Sequence, residues 1–551
     1  MKKRYLDAME RALEAYSTEH IDGYFASVKE TGLTEHGFPR LTANIGTMLS
    51  FGRKGELESR FIEMMDFCCA HVSKDRAAND FSVQEMIVCI DSLDESGVIT
   101  KEKLDEWRTL LTKRVIYNEV AKSADQLAYN WVLFSCVSEF LRMKRGLCPL
   151  DMDFIDMQIA TQVVHLDKNG MYRDAAIHPP MVYDNVPRTL FSILLFYGYD
   201  GKYRDLIDDD LRRTGLLSLK MQSVTGEIPY GGRSNQFYHN EAHLASIAEF
   251  EARRYAREGN TALATQFKRA ASDALASIER GLSLEPISHV KNRFPLECRY
   301  GCEDYAYFDK YMITVASFLN WARIFCDESI EVAQSPSVPS DAFELSADFH
   351  KLFLRSGDYF IEFDTNADPH YDASGIGRVH RRGTPGEICL SCPGTHAPSF
   401  KIDREDACDF AISPGVRDGE ELVFKTGGEY RVVAKNSCDG SASATLSCEE
   451  AGREITLDIN VSLEGVHLEA NGDGETAIML PALRFNGEEE SVITVRDNTL
   501  EIAYRGYICR YVTSGEIVDL GKTGCNRNGH YSLFAAVGKG CVSVDISIEK
   551  A

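Results

Sequence analysis

The sequence predicts an α+β protein: an N-terminal (α/α) toroid of about six helical hairpins, followed by a C-terminal antiparallel β-sandwich or large β-sheet domain. Residues before about 330 repeat apolar side chains at three- and four-residue spacing, whereas later residues alternate apolar with polar and carry turn dipeptides. The order contains no βαβ alternation, which argues against a doubly wound sheet. Two prolines, Pro336 and Pro339, predict a linker, so we expect a toroid at 1–332, a linker at 333–342 and a β domain at 343–551.

The helical half reads as about a dozen amphipathic segments separated by loops with Gly, Pro or Asn-Gly. The clearest predicted helices span 57–71, 83–93, 101–115, 126–143, 154–164, 186–196, 237–257 and 305–325. In the fourth of these, one apolar stripe is predicted to face the core; it consists of Leu127, Trp131, Phe134, Val137 and Phe140.

The β half reads as short antiparallel strands rich in β-branched residues. Predicted strands span 423–425, 430–433, 454–463, 466–470, 492–496, 500–505 and 540–548. Turn signals such as Asp497-Asn498 separate neighbouring strands, which is typical of a sandwich or a large twisted sheet.

Composition excludes several classes of protein. The 551 residues are 44% hydrophobic and 26% charged, which is unlike disordered or collagen-like chains. Lys and Arg number 60 against 84 Asp and Glu, a formal charge of −24 that disfavours nucleic acid and anionic membranes as partners. Apolar runs are too short for a membrane span, and the basic start Met1–Arg4 lacks a signal-peptide core.

The cysteines fit the same picture. Sixteen are scattered without framework spacing, and the pair Cys389 and Cys392 lacks the second half of a zinc site. Together with the missing signal, they predict a cytoplasmic protein with reduced, mostly buried thiols.

The densest polar segment spans 225–243. A Gly-Gly loop leads into a predicted helix, with Ser234 or Asn235 available as its N-cap. His239 and His243 share a helical face while Glu241 points elsewhere, so the order His-x-Glu-x-His differs from that of zinc proteases. We predict no cofactor and no catalytic metal, and leave a structural metal open. The segment is either a capped helix with a polar network or an active-site wall.

A second polar segment spans 289–311 and is rich in tyrosines. Tyr307 and Tyr311 share a helical face, and Arg299, Glu303 and Tyr305 lie near the predicted helix start. Long irregular segments inside compact domains are often functional, so these residues either serve sugar binding and catalysis or seal a core. We expect this segment and the first one to line one cleft where the helical ring meets the β half.

Two weaker candidates remain. Tyr183 lies in an aromatic and acidic loop that also carries Asp174 and Asp184. In the β half, Arg378 and His380 share one predicted strand face with Arg382. That face is either solvated or grips an acidic sugar.

The toroid followed by a β-sandwich resembles the heparinase II/III-like polysaccharide lyases and related (α/α)6-toroid carbohydrate-active enzymes. Arg233, Asn235 and His239 resemble the Arg/Asn/His set that these lyases keep on one toroid loop. Tyr305 or Tyr307 resembles their catalytic tyrosine, and His380 their histidine from the β domain.

The resemblance implies β-elimination on a glycan that contains uronic acid. A tyrosinate or His239 would take the C5 proton, and a tyrosine would protonate the leaving oxygen. Cationic or amide groups would neutralise the substrate carboxylate. The expected substrate-binding residues are Arg233, Asn235, Tyr238, Asn240, Arg299, Tyr183, Arg378 and His380.

Two other functions stay open. A glycoside hydrolase would pair two carboxylates, Glu241 with Glu303, or Asp174 or Asp184 with either. A carbohydrate-binding protein would need no catalysis. In each case the expected partner is an oligosaccharide, and for the enzymes an acidic one; the sequence predicts no oligomeric state.

Overall fold

The computed structural model describes residues 1–74, 79–174, 181–334, 339–345 and 348–551. The described helices are α1 (Lys2–Leu13), α2 (Thr18–Thr31), α3 (Gly37–Ser50), α4 (Glu58–His71), α5 (Asn79–Ser96), α6 (Lys101–Leu111), α7 (Trp131–Lys144), α8 (Met152–Val163), α9 (Met181–Phe196), α10 (Arg204–Met221), α11 (His239–Arg257), α12 (Thr261–Leu282) and α13 (Phe308–Phe325). All precede the strands, which confirms the predicted α+β order.

The helices form a closed double ring. Each odd-numbered helix from α3 to α13 contacts the next odd-numbered one, and α13 returns to contact α3, which closes an inner ring of six. Each inner helix has an outer neighbour, as in the pairs α3 with α4, α11 with α12 and α13 with α1. This is the predicted toroid of six hairpins, and α2 is an addition to it.

The remaining chain is antiparallel β structure. Its described strands are β1 (Asp341–Glu344), β2 (Lys351–Ser356), β3 (Tyr359–Asp364), β4 (Gly375–Arg381), β5 (Pro414–Asp418), β6 (Glu421–Phe424), β7 (Arg431–Cys438), β8 (Ser441–Glu450), β9 (Arg453–Ser462), β10 (Val466–Phe485), β11 (Val492–Arg496), β12 (Thr499–Tyr504), β13 (Tyr507–Thr513), β14 (Glu516–Cys525) and β15 (His530–Lys550). One sheet has the order β1-β2-β3-β4. The other has the order β11-β12-β13-β15-β10-β9-β8-β7, with β14 on β15 and β5 joining β10 to β6.

Several predicted boundaries need correction. α7 begins at Trp131, five residues later than predicted, so Leu127 is 71% exposed and Trp131 46% exposed instead of facing the core. The Asn130 side chain donates to Asp174 (2.5 Å) and holds this segment outside the helix. α13 begins at Phe308, which leaves Tyr305 and Tyr307 before the helix.

The segment between the two halves is partly described. The last helix ends at Phe325 and β1 already begins at Asp341, inside the predicted linker of 333–342. Residues 335–338 of that linker lie outside the described residues.

Two connections of the toroid face the β half and position the candidate site. They are 222–238, between α10 and α11, and 283–307, between α12 and α13. The second connection bonds directly to the loop before β15: the Asn292 side chain donates to the Arg527 carbonyl oxygen (2.9 Å). Residues from both halves therefore meet at one end of the ring.

The cysteines are free thiols, and most are buried, as predicted. Within the described residues, no helix combines the length and apolar character needed to cross a membrane.

The close packing of the inner ring leads to a stability prediction at Gly46 in α3. A Cβ added there would lie 2.4 Å from the Cys89 sulfur and 2.5 Å from the Phe61 ring, and both side chains are fully buried. We expect Gly46→Ala to lower the free energy of unfolding by about 1–3 kcal/mol because the core must shift. Chemical denaturation measures this change.

Gly23→Ala in α2 is the matched control, since a Cβ there meets nothing within 4 Å. It is expected to raise stability by about 0.5–1 kcal/mol, because alanine restricts the unfolded chain more than glycine does. Equal effects of the two substitutions would contradict the packing of α3 against α4 and α5.

Candidate functional site

The loop that enters α11 has an unusual backbone. Ser234 and Gln236 have φ of +57° and +64°, in the left-handed region that costs a non-glycine residue on the order of 1 kcal/mol. Gly231 and Gly232 have positive φ as well. The predicted cap is wrong: α11 begins at His239, and neither Ser234 nor Asn235 caps it. Surrounding contacts must therefore hold this loop.

Two buried carboxylates supply those contacts, one from each half of the protein. Glu303 Oε1 accepts the Ser234 N–H (2.7 Å), and Asp372 Oδ2 accepts the Gly232 N–H (2.7 Å). Burial raises the pKa of Asp372 to about 7, although Lys351 nearby lowers it. The loop amides thus bind carboxylates of the protein itself.

Arg527 locks Glu303 in place from the β half. Its guanidinium donates to Glu303 Oε1 (2.7 Å) and to the Gly301 carbonyl oxygen (2.6 Å), and its Cζ lies 3.8 Å from the Phe400 ring centroid. All of these polar groups are buried.

The loop presents the Ser234 hydroxyl to a group of tyrosines, which we call the hydroxyl cluster: Tyr183, Ser234, Tyr305 and Tyr311. Ser234 Oγ lies 2.9 Å from the Tyr305 hydroxyl and 3.0 Å from the Tyr183 hydroxyl. The Tyr305 and Tyr311 ring centroids are 6.2 Å apart. This contact joins the two polar segments that the sequence singled out.

The hydroxyl cluster is protonated at neutral pH. Burial raises the pKa of Tyr183 and Tyr311, and burial together with the Glu303 carboxylate raises the pKa of Tyr305. Tyr305 is still 40% exposed, so its ring is open to a ligand.

His239 stands beside the cluster at the start of α11. Its ring centroid is 5.1 Å from that of Tyr311, and the residue is 5% exposed. Burial lowers the pKa of His239 to about 3, so the imidazole is neutral over the physiological range. A neutral imidazole has an unprotonated nitrogen that can accept a proton, although the lowered pKa makes His239 a weaker base than a solvated histidine.

Several buried polar atoms around His239 have no hydrogen-bond partner in the described part of the chain. They are His239 Nδ1, Asn235 Nδ2, Asn240 Oδ1 and Glu303 Oε2. Buried polar atoms normally find partners, so this concentration suits a polar ligand. Asn240 also donates to the Ser234 carbonyl oxygen (3.0 Å), which fixes its amide within the loop.

Arg233 places a cation at the edge of the cluster. Its Cζ lies 4.4 Å from the Tyr183 ring centroid, and it forms an ion pair with the buried Asp174. Asp174 in turn accepts a hydrogen bond from the Asn130 side chain, which fixes the carboxylate that pairs with Arg233.

The structure does not bring Glu241 into this cluster. The side chain is fully buried, its Oε1 binds the Lys291 ammonium (2.8 Å) and accepts the Ile228 N–H (3.2 Å). Tyr238 is also buried, next to Gly281 of α12. Because both side chains are enclosed, burial raises the pKa of Glu241 and of Tyr238.

The predicted basic strand face is buried, so the interpretation of Arg378 and His380 as a solvated face is wrong. Arg378 is fully buried, donates to the Ile228 carbonyl oxygen (2.6 Å) and pairs with Glu362 (3.2 Å). His380 is enclosed by hydroxyls: its Nδ1 lies 2.7 Å from Ser223 Oγ. Both residues fasten β4 to the toroid and leave no surface for a sugar.

The remaining predicted residues contact other parts of the chain. The Arg299 guanidinium sits over the Tyr307 ring (4.1 Å to the centroid) and donates to the Glu303 and Asp304 carbonyl oxygens. Asp184 is buried and pairs with Arg188 (3.0 Å).

The sequence did not single out Arg527 or Tyr371 as site residues, and it indicated Tyr311 only as a neighbour of Tyr307 on one helical face. Tyr371 is half-buried, and Glu303 and Arg233 both influence its pKa, which burial raises. Arg527 lies 224 residues after Glu303, and its one local signal is the turn-like run Asn526–Gly529.

A metal at His239 and His243 finds no support in this geometry. The two ring centroids are 6.0 Å apart, and His243 Nδ1 is occupied by Thr189 Oγ1 (3.0 Å). Across the described ranges, no group of three or more His, Cys, Asp or Glu side chains is arranged to hold a metal ion.

Comparison with known proteins identifies the architecture. No family model and no curated protein matches the sequence. Among solved structures, a heparinase III aligns with 94% of this chain and 78% of its own, at 7% identity and a TM-score of 0.52. A second heparinase III aligns with 97% and 74%, at 9% identity and a TM-score of 0.50.

A chondroitin AC lyase of Streptomyces coelicolor A3, solved in complex with chondroitin sulphate, aligns with 99% of this chain and 79% of its own. Its identity is 12% and its TM-score 0.45. At such identities the two heparinase III structures establish the fold alone. The chain therefore shares the toroid and β-domain architecture of heparinase III, which confirms the resemblance inferred from the sequence.

Proposed function

We propose that this protein is a carbohydrate-active enzyme, specifically a lyase that cleaves oligosaccharides containing uronic acid by β-elimination. The observation that carries the proposal is the pairing of a neutral His239 with protonated tyrosines in one cluster. The Tyr311 ring links His239 to Tyr305: its centroid is 5.1 Å from that of His239 and 6.2 Å from that of Tyr305. An acceptor and a donor of protons thus stand close together.

The reaction needs such a pair because two proton transfers accompany the bond cleavage. Nδ1 of His239 takes the C5 proton, the C4–O4 bond breaks as the C4–C5 double bond forms, and the Tyr305 hydroxyl protonates the leaving O4. Each positioned acid or base contributes on the order of 10²–10⁴ in rate.

The C5 proton is hard to remove, because the adjacent substrate carboxylate is already negative. Arg233 and the Asn235 Nδ2 group can hold that carboxylate and the charge that develops on it. Asn235 Nδ2 is buried and has no partner among the described residues, so it is ready for this task.

A glycoside hydrolase is the second candidate, and one observation favours it. Glu303 and Asp372 hold amides two residues apart in the same loop, and burial raises the pKa of Asp372 to about 7. One protonated and one ionised carboxyl group is the requirement of that chemistry. In the pairs proposed from the sequence, Glu241 binds Lys291, and Asp174 and Asp184 pair with arginines, as Glu303 does with Arg527.

The two reactions, and carbohydrate binding without catalysis, differ in their products. We expect oligosaccharides with a glucuronate, iduronate, mannuronate or guluronate residue to yield an unsaturated uronate that absorbs in the ultraviolet. No oxygen from isotopically labelled water should enter the sugar products. Label incorporation without the chromophore would establish hydrolysis, and binding without turnover would establish a binding protein.

Tyr305→Phe tests the acid. We expect kcat to fall by about 10²–10⁴, because the variant keeps the ring and loses the hydroxyl that donates the proton. Tyr197→Phe is the matched control, since Tyr197 packs against Trp321 in the helical ring, and its kcat should stay unchanged. Unchanged activity in Tyr305→Phe together with loss in Glu303→Gln would instead support the hydrolase.

The pH dependence tests the base. Because burial lowers the pKa of His239 to about 3, the imidazole stays neutral well below its usual titration range. We expect the acidic limb of kcat/KM to lie well below pH 6. Any inflection near pH 6.5 should come from another group and should persist in His239→Gln. An inflection there that His239→Gln removes would show that His239 is solvated and not the buried base.

A further inference from the structure

A cavity lies apart from the hydroxyl cluster, where the outer ring of the toroid meets the β half. Its volume is about 540 Å³. One wall is α12, and the other is formed by 382–387, after β4, by Arg505, after β12, and by Tyr507, at the start of β13. No member of the hydroxyl cluster lines it.

The lining of this cavity is rich in charged side chains. Three of them are carboxylates: Glu227, Asp273 and Glu387. Six are cationic: Arg269, Arg280, Lys291, Arg293, Arg382 and Arg505. Within the described part of the chain, all of these cations except Arg280 pair with carboxylates, four of which lie outside the lining: Glu241, Asp358, Glu488 and Glu489. Arg280 therefore supplies the positive charge that a concave surface can offer to an anion.

Arg280 is the cation with the most capacity left for a ligand. It forms no ion pair with any residue that the structure describes, whereas Arg269 pairs with Asp273 and Arg382 with Asp358. One of its five N–H groups donates to the Thr225 carbonyl oxygen (2.5 Å), which aims the guanidinium along the cavity wall. The other donors are available for a planar anionic group.

The floor of the cavity holds one ammonium between two carboxylates. The Lys291 ammonium lies 2.9 Å from Glu227 Oε2 and 2.8 Å from Glu241 Oε1, and all three side chains are largely buried. Lys291 is therefore engaged within the protein, and the cation that remains for an anion at the wall is Arg280. Lining hydroxyls of Ser277, Thr384 and Tyr507 add donors and acceptors that suit a sugar.

We propose that this cavity binds an anionic saccharide of one or two rings, carrying a carboxylate, sulfate or phosphate group that Arg280 contacts. The volume falls within the range of about 300–1,000 Å³ that small-molecule sites occupy. The inference does not depend on catalysis at the hydroxyl cluster, because none of its residues is shared with that cluster.

The test is isothermal titration calorimetry of the full chain with glucuronate, a glucose phosphate, neutral glucose and inorganic phosphate. We expect the two anionic sugars to bind, to bind more weakly as salt rises, and to exceed both glucose and inorganic phosphate in affinity. Arg280→Gln should weaken that binding about tenfold or more, since it removes a charge-assisted hydrogen bond. Arg280→Lys should restore most of it.

Arg204→Gln is the matched control, because Arg204 is an exposed arginine on α10 outside the cavity; its affinity should equal that of the wild type. Arg233→Gln separates this site from the hydroxyl cluster. If Arg233→Gln abolishes sugar binding while Arg280→Gln leaves it intact, the cavity proposal is wrong and the proposed lyase is unaffected. Inorganic phosphate binding as tightly as the sugars would overturn the saccharide assignment.

Discussion

The site depends on one buried interaction, the Glu303 carboxylate that joins three parts of the chain. Its Oε1 accepts the Ser234 N–H from the loop before α11 and the Arg527 guanidinium from the β half. Removing one partner of such a buried pair typically costs about 3–5 kcal/mol, because the other charge is left uncompensated. The strained φ of Ser234 persists because this junction holds it, and the Ser234 hydroxyl in turn orients Tyr305.

Local patterns were sufficient to predict the architecture and the meeting of two segments. Helical periodicity predicted five of the six inner helices (α5, α7, α9, α11 and α13) and three outer ones (α4, α6 and α8). The inner helix α3 is buried from Gly37 to Leu49, so it shows no polar face and was not among the clearest predicted helices. Strand alternation predicted the β half. The segments around Ser234 and Tyr305 stood out as long polar connections within a helical array, and the bond between their hydroxyls joins them. Such connections gather at one end of a toroid, so their proximity follows from topology.

Other features lie beyond local patterns. Alternation places Arg378 and His380 on one face of β4, but it is equally compatible with a face toward water and a face toward the toroid. In the structure this face contacts the toroid: His380 contacts the Ser223 hydroxyl, and Arg378 donates to the Ile228 carbonyl oxygen. The turn-like run around Arg527 does not predict its role, because its partner Glu303 is 224 residues away and only the folded chain brings them together.

The electrostatics of the site follow from burial, in a molecule that is acidic as a whole. A protein with a charge of −24 repels an anionic sugar, although salt screens that field beyond roughly 8 Å. Burial raises the pKa of Tyr305 and lowers that of His239, so both side chains are neutral at neutral pH. The charges beside them are compensated within the protein, because Glu303 pairs with Arg527 and Arg233 pairs with the buried Asp174. An anionic ligand at the cluster would therefore have to compete with Asp174 for the Arg233 guanidinium.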